Sequence, residues 1–106
     1  MNVDGVYTLN TWTKNNEEVA AQGLLFYMHG HVSVHLTLEG NVLYSYAGTY
    51  TWDHEAMQVT HDTLHRSHDF FDKEIRTVDD LGDGRLQLSY ARDGIDNVLV
   101  WNRVSK

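Results

Sequence analysis

The chain has 106 residues, 42% of them hydrophobic, and a formal charge of −7, which suits one domain with one modest core and leaves no length for a second. It has no cysteine, which excludes a disulfide framework, a thiol nucleophile and cysteine-ligated metal. Its 8 Lys+Arg against 15 Asp+Glu oppose a phosphate backbone, and neither a leader pattern nor an apolar run of bilayer length is present. The expectation is a single cytoplasmic domain over residues 1–106 with neither nucleic acid nor membrane as partner.

Proline is absent and the glycines punctuate short alternating runs, the pattern of an all-β chain. The first run is Val6 to Trp12, with Tyr7 and Leu9 on one face. Lys14 to Gln22 reads as a loop or a short helix closed by Gly23. Leu24 to Met28 is the second strand candidate and His29-Gly30 its turn. His31 to Leu38 alternates most cleanly, with Val32, Val34, Leu36 and Leu38 opposite His31, Ser33, His35 and Thr37, as in a half-buried antiparallel strand.

Glu39-Gly40-Asn41 turns the chain into an aromatic strand. There Tyr44, Tyr46, Tyr50 and Trp52 share a face, and Ser45, Ala47, Thr49 and Thr51 fill the other. Asp53 to Ala56 reads as a hairpin turn, after which Met57, Val59 and His61 share a face, so an imidazole is carried in line with apolar side chains. Asp62 to Asp72 looks irregular. Strands resume over Lys73 to Val78, over Arg85 to Tyr90 after the turn Leu81-Gly82-Asp83-Gly84, and over Val98 to Val104 after the loop Arg92 to Asn97. About eight short strands is the count at which an antiparallel up-and-down barrel closes and can hold one small ligand.

Four blocks then resemble a known family. Asp4-Gly5-Val6-Tyr7-Thr8-Leu9 is similar to an opening glycine-x-tryptophan block, with tyrosine in the tryptophan place. Gly23 to Val34 resembles a Gly-x-Leu-x-Tyr, glycine turn, Met-Ser-Val block, with Val32 for methionine. Tyr46-Ala47-Gly48-Thr49-Tyr50 with Val59-Thr60-His61 looks like its Tyr-x-Gly-x-Tyr and Val-x-His pair, and Leu99 to Val104 like its closing Leu-Val-Trp-x-Arg block. Together they resemble the lipocalin-like domain proteins of bacteria and fungi, of the calycin type. The resemblance implies an eight-stranded antiparallel lipocalin-like β-barrel and an arginine on the last strand covering the first aromatic residue, here Arg103 and Tyr7. It implies no single activity.

His61 with Tyr46 and Tyr50 is the leading constellation, because a partly buried imidazole can take and return a proton and a phenol can donate to a developing oxyanion. That suits an isomerase, cyclase or lyase acting by proton transfer. Phe26 and Trp101 are candidate packing walls, His35 a further ligand contact, and Arg76 a two-pronged donor for a carboxylate or enolate. Two other readings stay open: a non-catalytic binder of a small apolar ligand, and an interaction domain with a filled barrel, dimeric through an exposed strand face. His61, His65 and His68 would share one face of a helix. His31 and His35, two pleats apart at about 13 Å, are too far apart for one ion. With no His-Glu-x-x-His signature, neither metal nor cofactor is expected.

Overall fold

The alternating runs become strands joined by turns that their own residues dictate. The structure is a computed structural model and describes residues 2–67 and 73–105. The strands are β1 Gly5–Lys14, β2 Glu17–Glu18, β3 Gln22–Met28, β4 His31–Leu38, β5 Asn41–Asp53, β6 Gln58–Arg66, β7 Lys73–Gly82, β8 Arg85–Arg92 and β9 Ile95–Ser105. Five connections are two-residue turns with positive φ at both positions: Asn15-Asn16, His29-Gly30, Glu39-Gly40, Asp83-Gly84 and Asp93-Gly94. That is the requirement of the type I′ turn, whose twist matches that of the flanking strands.

Neighbours in sequence pair in order from β3 to β9, β1 pairs with β3, and β9 returns to β1. All the pairings are antiparallel, so eight long strands close an up-and-down barrel. The two-residue β2 is a short hairpin return on Thr13 and Lys14 of β1. Closure leaves the long strands without a free edge along most of their length. None of the described residues forms a helix, let alone one long and apolar enough to cross a membrane.

The strands differ from the sequence expectation in three places. The segment read as a loop or short helix after Lys14 is the β1–β2 hairpin and the return into β3. The irregular reading of Asp62 to Asp72 is overturned as far as Arg66, where β6 ends; positions 68–72 lie outside the described residues. The reason is β5, which offers a ladder partner as far as Tyr46, opposite Arg66, so backbone pairing carries a polar stretch that has no apolar alternation. Strands β7, β8 and β9 also run longer than expected, because the two-residue turns consume almost no chain.

Inside the barrel the aromatic rings form a column along the axis. Tyr7 meets Tyr27 edge-on at 6.3 Å between centroids, Tyr27 meets His61 at 5.4 Å, and His61 meets Tyr46 at 5.7 Å. Tyr46 stacks with Tyr44 at 6.3 Å and Tyr44 meets Trp12 edge-on at 6.3 Å. Such tilted and offset contacts are the favourable ones for rings carrying a quadrupole. One end of the barrel is closed by the N-terminal segment. There Arg103 lies over the Tyr7 ring at 5.2 Å, donates to the Tyr7 hydroxyl at 2.7 Å and to the Asn2 carbonyl at 2.8 Å, and Tyr7 donates to the Val3 carbonyl at 2.6 Å. Trp12 marks the opposite end.

Candidate functional site

His61 is placed by the hairpin of β5 and β6. It pairs across the strands with Tyr50, and the pleat sends both side chains inward. Between Tyr50 and Tyr46 the ladder contains a bulge: Ala47 pairs with His65 and Gly48 with Thr63, so Leu64 is the extra residue. A Cβ at Gly48 would fall 1.8 Å from the Asp62 carbonyl oxygen, so only glycine lets β6 run this close. The bulge brings the Tyr46 hydroxyl within 2.6 Å of His61 Nδ1. From β3, the Tyr27 hydroxyl reaches Nε2 at 2.5 Å.

Both imidazole nitrogens are therefore held by phenols in a site where His61 is only 1% exposed. Burial, with the nearby Arg76 charge second, lowers the His61 pKa from 6.5 to about 3, so the ring is neutral at physiological pH. Burial also raises the phenols of Tyr27 and Tyr46, which remain protonated. A neutral imidazole offers one N–H and one lone pair. In either tautomer one phenol donates to the ring and the other accepts from it.

Below this triad runs an ion-pair network on β7. Glu74 and Arg76 are buried and joined at 3.1 Å, Arg92 on β8 also pairs with Glu74, and the Arg76 guanidinium lies over the Tyr90 ring at 3.6 Å. A buried carboxylate needs such partners, since an unpaired one would be costly. Glu74, Arg76 and Val78 share the inner face of β7 while Ile75 faces outward, a local inversion of the usual pattern that places one ion pair inside a mostly apolar interior.

The open end holds a cleft of about 390 Å3 whose walls include Trp12, Leu43, Tyr44, Tyr90 and Ile95, with Lys14, Arg92 and Asp93 at its rim. The Trp12 indole donates to Asn97 Oδ1 at 3.1 Å, and the Lys14 ammonium sits 4.9 Å from the Trp12 ring centroid. Burial raises the Tyr44 phenol well above its usual value, so it too is a donor. His61 is not among the walls; Tyr46, stacked on Tyr44, lies between the imidazole and the cleft.

The candidate residues separate accordingly. His61 and Tyr46 come together, with Arg76 close by. Tyr50 is also inside, packed on Tyr27 at 4.8 Å, but its hydroxyl donates to Asp4 toward the closed end and not to His61. Trp101 is buried in the interior and is no wall of the open cleft. Phe26 and His35 must be corrected: Leu25 and Tyr27 of β3 and Val34 and Leu36 of β4 point inward, so the pleat puts Phe26 and His35 on the outer surface. There His35 Nε2 meets Ser33 Oγ at 2.6 Å.

The shared helical face for His61, His65 and His68 is also overturned. His61 and His65 lie on a strand, the first inside and the second exposed, and His68 lies outside the described residues. Among the described residues no group of three or more His, Asp or Glu side chains is placed to hold a metal. Sequence reasoning missed Tyr27, because Leu24 to Met28 is apolar on both faces and gives no phase. It also gave no role to the wall residues Trp12 and Tyr90, which it placed only on strands. The inward Glu74 was findable, since it shares its face with Arg76 and Val78.

No family model, no curated protein and no solved structure matches this chain.

Proposed function

We propose that the protein is a non-catalytic binder of a compact, planar, mostly apolar organic molecule, taken into the open end of the barrel. The observation that carries this is the cleft of about 390 Å3 walled by Trp12, Tyr44 and Tyr90. Its volume falls within the usual range of small-molecule sites, about 300 to 1,000 Å3, and its make-up is the usual one, apolar walls with a few placed polar groups. Flat rings favour flat ligands through offset stacking. The Asn97 amide and the tyrosine hydroxyls supply the orienting hydrogen bonds. The lack of cysteine suits a reducing cytoplasm.

The acid/base alternative, an isomerase, cyclase or lyase centred on His61, draws less support. Its imidazole is 1% exposed and bonded at both nitrogens, so a substrate in the cleft would meet Tyr44 and not His61. In this proposal the Tyr27–His61–Tyr46 triad fixes the floor under the ligand.

The test uses the naphthalene dye 8-anilinonaphthalene-1-sulfonate as a planar probe. Titration should show saturable fluorescence enhancement. Trp12→Ala and Tyr90→Ala should each weaken binding about tenfold, which is about 1.4 kcal/mol, while Leu64→Glu on the outer wall leaves it unchanged. Binding lost with Leu64→Glu and retained in the cleft variants would defeat the proposal.

A further inference from the structure

The bulge that brings Tyr46 to His61 has a second effect on the opposite surface. Leu64 keeps the outward phase of Thr60 and Asp62 and is 67% exposed, and the bulge turns His65 outward beside it. Beside it lies a dimple of about 330 Å3 in the outer wall, lined by Phe26, Met28, Ser33, Ala47, Gly48 and Leu64 itself, with His31 and His65 at its edge. The dimple exists because Ala47 and Gly48 are small. A protruding isobutyl group thus stands at the rim of a hole of fitting size.

We propose that the outer wall of β3 to β6 is a self-association surface, on which two copies of this chain form a reversible two-fold dimer with Leu64 of each seated in the dimple of the other. In a two-fold interface the same patch meets itself, so a residue contacting a second is contacted by that second in return. A knob and a hole side by side on one face satisfy this condition.

Charge favours a second copy over other occupants. The chain is 22% charged and carries −7, so two copies repel over most of their surfaces. No Asp, Glu, Lys or Arg lines the dimple, and Asp62 on the same wall is offset by Lys73 at 2.8 Å, so two copies approach here with little like charge to bury. An anionic membrane surface would meet no lysine or arginine in the dimple, and a charged peptide would lose hydration there without a counter-ion. Four strands about 4.8 Å apart, with about seven residues at about 3.3 Å each, offer a wall of about 20 by 23 Å, or about 900 Å2 over both copies. That is near the lower limit of about 1,000 Å2 for specific interfaces, which sets the expectation at a reversible, micromolar association.

Sedimentation velocity on the whole chain tests this, from about 1 µM to about 1 mM. The wild type should pass from monomer to dimer across that range. Leu64→Glu and, by filling the dimple, Ala47→Phe should each raise the dissociation constant at least about tenfold, with circular dichroism spectra unchanged. Val104→Glu, at an apolar position 60% exposed on β9, should leave the association as it is. A wild type that stays monomeric throughout overturns the proposal, and so does a dimer indifferent to both substitutions in β5 and β6.

Discussion

A histidine with phenols on both ring nitrogens behaves differently from one that faces solvent, and His61 makes the difference measurable. Its folded pKa lies near 3 against 6.5 when exposed, chiefly because burial disfavours the charged ring. Below pH 6.5 the unfolded chain takes up a proton that the native chain refuses. The stability contributed by this group is complete above pH 6.5 and is lost progressively as pH falls toward 3. One proton corresponds to about 1.4 kcal/mol per pH unit. Between pH 6.5 and 4.5 the wild type should therefore lose about 2.5 kcal/mol more than His61→Gln, whose amide does not titrate. Denaturant unfolding at several pH values measures both slopes, and parallel profiles would mean that the ring is not held neutral by the fold.

Among the elements, the β5–β6 hairpin does most to decide the site, and it shows where sequence patterning stops being informative. Alternation along His31 to Leu38 and Tyr44 to Trp52 gave the inner faces of β4 and β5 correctly, because small or polar residues separate the bulky ones. In β3 the run Leu24 to Met28 has no polar phase marker, so Phe26 was read as inward where Tyr27 is. In β6 the period fails after Leu64, where His65 faces outward instead of inward, since a bulge adds a residue that no periodicity encodes. Gly48 was the available signal: a glycine inside a strand pattern often marks a bulge or a close backbone approach. The hairpin's dependence on it yields a direct expectation. Gly48→Ala would place a methyl group 1.8 Å from the Asp62 carbonyl oxygen, a contact that only a backbone shift relieves. Overpacking of this kind costs about 3 kcal/mol. The chemical shifts of the His61 ring should move as well, because the shift separates Tyr46 from Nδ1. A variant as stable as the wild type with an unchanged His61 environment would show that the bulge does not need glycine.

At the scale of the whole molecule, the barrel has two unlike ends joined by one aromatic column. The strand count and most of the turns were legible because each depends on local pattern, whereas the Arg103–Tyr7 closure was an expectation that only the family resemblance supplied. The open cleft was not, because Trp12, Tyr44, Tyr90 and Asn97 come from four strands, β1, β5, β8 and β9, and only closure of β9 on β1 assembles them. If the ends are functionally separate, damage to one should spare the other. Arg103 donates to the Tyr7 hydroxyl and the Asn2 carbonyl at the closed end, and hydrogen bonds to a charged donor contribute about 1.5 to 3 kcal/mol. Arg103→Met keeps the aliphatic stem over Tyr7 and removes both bonds, so it should lower stability by about 2 kcal/mol. Its affinity for the naphthalene probe should stay within about twofold of the wild type, a difference of about 0.4 kcal/mol. Denaturant unfolding and dye titration on the same preparation read the two quantities side by side. A large loss of affinity in Arg103→Met would mean that the column transmits strain from the closed end to the cleft, and that the triad at its centre couples the two ends.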